Sequence, residues 1–239
     1  MINIMNKVAI CFSGQPRFIE DGFLTFAKNL VGFEDMDVFI HTWHNSPPGN
    51  NGHLTNVEDE HNIFNFYNPK NHIVEEQRFD IAPQGVGHQI FIHYSMFYSI
   101  WKANELKKEY EEKNNFKYDC VIRTRFDLAL LQKFDVTQFD LRNINSPDVC
   151  ANSDVISDWF NFSNSENMDI YLNAYNNLND YQRVLNKKQK VSGEAILTHH
   201  YKVNNLTIKK IPCNLNLIRT EMKLNVPFWI LINDLRSMK

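Results

Sequence analysis

The sequence predicts an α/β protein built on a mainly parallel sheet flanked by helices, and three observations carry that prediction. Short apolar runs alternate with amphipathic stretches of helical period. The first 130 or so residues read strand, helix, strand, helix, strand, the order that crossover helices between parallel strands produce. The composition is that of a globular chain, with 43% hydrophobic and 13% aromatic residues and no internal repeat or low-complexity linker.

Residues 8–12 form a short buried strand that stops at Ser13-Gly14-Gln15-Pro16, and a helix is expected over 19–31 with Phe23, Phe26, Ala27 and Leu30 on one face. The second strand covers 37–43. Residues 44–60, rich in Asn, Pro and Gly, read as a long loop at that strand's carboxyl end, where long loops are often functional. A third strand is expected over 71–77 and a long helix over 90–114 with Ile92, Met96, Ile100 and Leu106 as its apolar stripe. The strand over 118–128 follows. Beyond it the pattern predicts a strand over 155–162, a helix from Ser165 through Tyr175, a short helix over 193–201 and a late strand over 206–211. The apolar run 226–232 is too short to span a bilayer and reads as core or oligomer contact. With 239 residues the chain is expected to form one domain, 1–239, whose halves meet near residue 130 (about 7–130 and 131–239).

A net charge of −3 offers no global attraction to nucleic acid or anionic membrane, so any phosphate binding must be local. Cys11, Cys120, Cys150 and Cys213 include no CxxC pair and no compact zinc spacing, which favours buried thiols in a reducing compartment. Residues 1–7 are too short and polar for a signal peptide, and no apolar run reaches about 20 residues, so a cytoplasmic protein is expected, with peripheral membrane contact left open.

The most informative stretch is Tyr118-Asp119-Cys120-Val121-Ile122-Arg123-Thr124-Arg125-Phe126-Asp127-Leu128. An apolar strand runs directly into two arginines and a carboxylate, although unpaired buried charge is costly. In strand alternation Arg123, Arg125 and Asp127 share one row, at the strand end where open α/β sheets hold their ligands. Two cations suit a phosphate, and the carboxylate suits a metal ion or a sugar hydroxyl. A structural Arg–Asp network is the competing reading. Ser13-Gly14-Gln15-Pro16-Arg17 lets backbone approach a ligand at the end of the first strand and offers Arg17 to a phosphate, or is an ordinary strand-to-helix turn. Tyr94, Tyr98 and Lys102 share a helical face that could present Ser95 or Lys102 to a nucleotide, or pack on the sheet. Asp158 and Glu194 are each a candidate general base or a helix cap. His41 and His44 lack a third metal ligand and read as strand-end polar filler, and His199 and His200 as a structural pair.

The segments 8–17, 95–100 and 118–128, followed in order by Asp158-Trp159-Phe160, Ser165-Glu166-Asn167-Met168 and Gly193-Glu194-Ala195-Ile196-Leu197, resemble small GT-A-like glycosyltransferases of bacterial lipopolysaccharide and capsule loci (WavE-like proteins) and their relatives in large DNA viruses. The resemblance covers about residues 7–220. It implies a GT-A-like, Rossmann-like fold with a nucleotide-sugar-binding half to about residue 130 and an acceptor-side half from 131. It implies transfer of a sugar from a nucleoside diphosphate to a glycan or lipid-linked acceptor in surface polysaccharide synthesis. Such enzymes hold Mn²⁺ or Mg²⁺ with a DxD motif, and here only Asp127 of Arg125-Phe126-Asp127 matches it. On this resemblance Ser13, Gly14, Gln15, Arg17, Ser95 and Lys102 contact the nucleotide. Asp127 holds metal or sugar, Arg123 and Arg125 orient the donor, and Asp158 or Glu194 deprotonates the acceptor. The alternatives are a non-catalytic nucleotide- or glycan-binding module and another phosphate-handling transferase, such as a sulfotransferase or nucleotidyltransferase.

Overall fold

Strict alternation of side chains along the central strands divides the interior into two cores, one on each face of a single sheet. The computed structural model describes residues 7–44, 60–77, 79–149, 155–186 and 191–219. In chain order the first strands and helices are β1 (Val8–Gly14), α1 (Ile19–Asn29), β2 (Asp37–Trp43), α2 (Glu60–Tyr67), β3 (Asn71–Glu75), α3 (His88–Asn114), β4 (Cys120–Thr124) and β5 (Leu128–Leu130). They are followed by β6 (Ile144–Pro147), β7 (Asn161–Ser163), α4 (Ser165–Tyr171), α5 (Leu178–Asn186), α6 (Gly193–Val203), β8 (Ile208–Ile211) and β9 (Leu215–Leu217).

Seven strands lie in the order β3-β2-β1-β4-β7-β6-β8, and β5 pairs with β9 in a separate two-stranded ribbon. Pairing is parallel throughout the large sheet except at β7, which runs antiparallel to both of its neighbours. The predicted mainly parallel sheet with flanking helices is therefore the observed architecture. Ala9, Cys11, Phe39 and Val121 face α3, α4, α5 and α6, while Ile10, Phe12, Ile40 and Ile122 face α1 and α2. Burial on both faces is what lets β4 be apolar almost throughout.

Helix ends follow the sequence. Glu20 and Asp21 open α1 and Lys28 closes it, matching the helix dipole. The Asn164 side chain accepts from the Asn167 amide at the start of α4, and Ser192 does the same for Ala195 at the start of α6.

Several expected boundaries shift. The strand expected over 118–128 ends at Thr124, and Arg125, Phe126 and Asp127 form a connection to β5, so Asp127 does not continue the row of Arg123. Pairing with β7 stops at Arg123 and pairing with β1 at Thr124, where the chain leaves the sheet. The strand expected over 155–162 contracts to β7, its alternation before residue 161 belonging to an irregular segment packed by loops and helices. Two helices were not foreseen, α2, which buries Ile63 and Tyr67, and α5, which buries Leu178, Tyr181 and Gln182. Cys11, Cys120 and Cys213 are free thiols, the first two fully buried; Cys150 and the run 226–232 lie outside the described residues. Among the described residues no helix is long and apolar enough to cross a membrane.

Candidate active site

β1 and β4 are neighbours, yet the chain leaves β1 for β2 on one side and reaches β4 on the other. Strand order reverses between them, and a crevice must open at their carboxyl ends. A cleft of about 240 Å³ lies there. Ser13, Gly14, Gln15 and Arg17 form one wall and Arg123, Arg125 and Asp127 the next. α3 closes a third side with Ser95 and Met96. The two charged segments singled out in the sequence thus meet in one cavity.

The β1 wall is anchored before a ligand arrives. Gly14 has φ +108°, a conformation that side-chain-bearing residues rarely adopt. Its N–H donates to Ser99 Oγ at 2.8 Å, and Thr42 Oγ1 donates to its carbonyl at 2.8 Å, tying β1 to α3 and β2. Ser99 also lies 2.8 Å from His41 Nδ1, whose other ring nitrogen is 2.9 Å from Glu75. His41 is therefore a buried structural residue, and burial holds its imidazole below its usual pKa. Gln15 Nε2 donates to Gln77 Oε1 at 3.1 Å, and Gln77 donates in turn to Ser95 Oγ.

Arg17 precedes Phe18, an aromatic residue in the left-handed region at φ 51°. Such a conformation is uncommon for a bulky side chain and persists only when packing enforces it. Here Phe18 packs with Ala129, Leu131 and Ile218 in a small apolar cluster. That cluster joins the residues just after Arg17, just beyond Asp127 and just before Arg219. The Ile218 amide donates to the Asp127 carbonyl at 2.9 Å, which extends the β5–β9 ribbon to the cleft and brings Arg219 to line it.

Arg125 and Asp127 form a bidentate pair, Nε to Oδ1 at 2.6 Å and Nη2 to Oδ2 at 2.8 Å. Burial works against the Asp127 carboxylate, but Arg125, and after it Arg219 and Arg17, hold its pKa below the usual carboxylate range. Arg123 lies deeper and is 3% exposed. Its Nε and Nη1 have no hydrogen-bond partner among the described residues, nor do Arg17 Nε, Ser13 Oγ or Gln15 Oε1. Burial pushes the Arg123 guanidinium down to about 10, still charged at neutral pH. Native interiors seldom leave buried guanidinium nitrogens unmet, so those of Arg17 and Arg123 beside one cavity make it a candidate anion site.

Asp158 and Glu194 do not line the cavity but lie close together beside α3. A methyl group on Gly193 would come 2.7 Å from the Met96 methyl and 3.2 Å from Asp158 Oδ2, so Asp158 sits at the start of α6 next to a cavity-lining residue. Both carboxylates act on the His93 imidazole, which burial holds below its usual pKa. Asp158 also acts on Arg123 and Arg125, and Glu194 on Arg125.

Lys102 is the predicted residue that the fold takes elsewhere. Its Nζ lies 4.9 Å from the centre of the Trp101 ring and 5.6 Å from that of Tyr98. Seven residues along a helix carry it about 10 Å from Ser95, toward the stretch of α3 where Ala103 meets Cys11 and away from the strand ends that hold the cleft. Arg219, Trp43, Gln77 and His93 were not foreseen. Arg219 had a legible signal, since Leu215-Asn216-Leu217-Ile218 runs into an arginine as Cys120-Val121-Ile122 does.

The donor set does not fit the divalent cation that the resemblance implies. Among the described residues Asp127 is the one carboxylate lining the cleft, and Arg125 hydrogen-bonds to both of its oxygens. Among the described residues no group of three or more His, Cys, Asp or Glu is placed to hold a metal ion.

The sequence matches no family model and no curated protein. Among solved structures it is similar to a glycosyltransferase involved in the glycosylation of the major capsid of PBCV-1, at 9% identity and a TM-score of 0.45, over 87% of this chain and 83% of that one.

Proposed function

We propose that the protein is a glycosyltransferase that moves a sugar from a nucleoside diphosphate to a glycan or lipid-linked acceptor, as the WavE-like resemblance implies. The observation that carries this reading is the pairing, at the switch point of the sheet, of a guanidinium-lined cavity with two carboxylates beside it. The guanidiniums suit the diphosphate, and the carboxylates suit a proton taken from a hydroxyl. In the reaction the acceptor oxygen bonds to the anomeric carbon, its proton passes to Asp158 or Glu194, and the bond from that carbon to the β-phosphate oxygen breaks. The electron pair stays on the departing nucleoside diphosphate, whose growing charge the arginines stabilise. Ser13, Gly14, Gln15 and Ser95 border the part of the cavity assigned to the nucleoside, with Trp43 and Gln77 beside them.

A donor screen tests this by product detection, supplying UDP- and GDP-sugars with candidate glycan acceptors. Release of nucleoside diphosphate together with a glycosylated acceptor is the expected result. Asp158→Asn and Glu194→Gln should identify the base, as the variant that lowers kcat about 10²-fold or more with little change in donor KM. Donor binding without transfer or hydrolysis to any acceptor would identify a binding module instead, and binding of 3′-phosphoadenosine ligands in place of sugar nucleotides would identify a sulfotransferase-like site.

A further inference from the structure

We propose that the positive charge needed by the departing diphosphate comes from a clamp of four arginines, Arg17, Arg123, Arg125 and Arg219, and that donor binding requires no divalent cation. The inference rests on the glycosyltransferase reading of the cleft and concerns how that cleft handles charge. Four guanidiniums and one carboxylate line the cavity, leaving three net positive charges where a diphosphate would lie.

The geometry divides the clamp into two parts. Arg125 is committed to Asp127 by two hydrogen bonds, which fix its plane, engage both carboxylate oxygens and neutralise the charge that a metal would need. Arg17 and Arg123 are held with donor nitrogens unmet among the described residues, although Arg123 is 3% exposed. An anion is the ligand that satisfies buried guanidinium donors, whereas a cation placed among them meets net repulsion, four guanidiniums against the one lining carboxylate.

Arg219 gives the clamp its second origin in the sequence. It arrives from the far end of the described chain on the β5–β9 ribbon, and its neighbour Ile218 belongs to the same apolar cluster as Phe18, the residue after Arg17. The two arginines are thus steadied by one shared cluster. A residue from the second half completes a site otherwise made by the first, and its guanidinium is partly exposed and open to a ligand.

The test is calorimetric titration of UDP and of GDP into the full chain, once in EDTA and once with Mn²⁺ or Mg²⁺. We expect at least one nucleotide to bind with a Kd that agrees within about twofold between the two conditions. Arg219→Ala should weaken that binding about tenfold or more without altering the fold, because the side chain is partly exposed. Arg125→Asp, which places carboxylates at both 125 and 127, should make binding dependent on the metal. A wild-type Kd more than about tenfold weaker in EDTA, or no loss in Arg219→Ala, overturns the clamp and leaves the transferase reading standing. If neither UDP nor GDP binds under either condition, the two are overturned together.

Discussion

Lys107 and Arg123 are both buried cations in the same half of the interior, and the protein treats them in opposite ways. Lys107 Nζ donates to Glu111 at 3.0 Å, Ser165 at 2.7 Å and Asp169 at 2.6 Å. Glu111 in turn accepts from Lys117, from Ser165 and from the Tyr118 amide, so this cluster closes on itself and ties α3 to α4 and β4. Arg123 keeps two nitrogens without a partner among the described residues and lies against an open cleft. The cost of buried charge is met internally in the first case and, on the proposal above, falls to a ligand in the second. Between these two cations, satisfaction and not burial or charge is what differs.

Breaking the closed cluster should have the largest effect on stability. Lys107→Met removes the buried cation of the cluster, leaves Glu111 and Asp169 only the half-exposed Lys117 in common, and should cost about 3 kcal/mol. Denaturant unfolding would read that loss, and the nucleotide affinity of the remaining folded protein should be unchanged.

A smaller effect is expected where the two faces of the cleft touch. An added methyl group on Gly22 would sit 2.0 Å from the Phe126 carbonyl oxygen, so α1 fixes the position of the Arg125–Asp127 connection by close approach. Gly22→Ala should cost about 1–3 kcal/mol by overpacking and, unlike Lys107→Met, should also weaken nucleotide binding. Paired unfolding and titration measurements on the two variants sharpen the contrast.

The smallest effect is on pH dependence. Burial holds the imidazoles of His41, His93 and His200 below their usual value of 6.5. The unfolded chain takes up protons near pH 6.5 while the folded one resists them, so their contribution to stability is complete above that pH and is lost as pH falls toward the folded values. The carboxylates of Asp127 and Glu111 are held low and keep their contribution to more acidic pH. Melting temperatures should therefore decline between about pH 6.5 and 5, and His41→Gln should flatten that decline. A profile unchanged by the substitution would assign the loss to other groups.

The parts of the cleft that were legible in the sequence are those where charge interrupts an apolar strand. Arg123, Arg125 and Asp127 announce themselves in this way, and the adjacency of β1 to β4 brings Arg17 to meet them. Lys102 misled because helical spacing assigns a face but does not say how far along the helix the cleft extends. Asp158 was placed on a strand because the alternation of residues 155–160 imitates one, whereas Ile156 and Asp158 are buried outside the sheet. Arg219 carries the same mark, an apolar run ending in an arginine, but its place beside the cleft depends on non-local pairing, since a three-residue strand becomes a strand only when β5 supplies its partner. The order of the β4–β7–β6–β8 half was equally out of reach, because it depends on contacts between short segments far apart in the chain.

The most direct test of the central claim is thermal unfolding of wild type and Arg123→Met, each with and without UDP or GDP. If Arg123 waits for a diphosphate, the variant loses an unmet buried charge. It should then melt at or above the temperature of the free wild type, and nucleotide should raise the wild-type melting temperature alone. A variant that melts several degrees lower and still responds fully to nucleotide would make Arg123 structural and remove the cleft from the reaction.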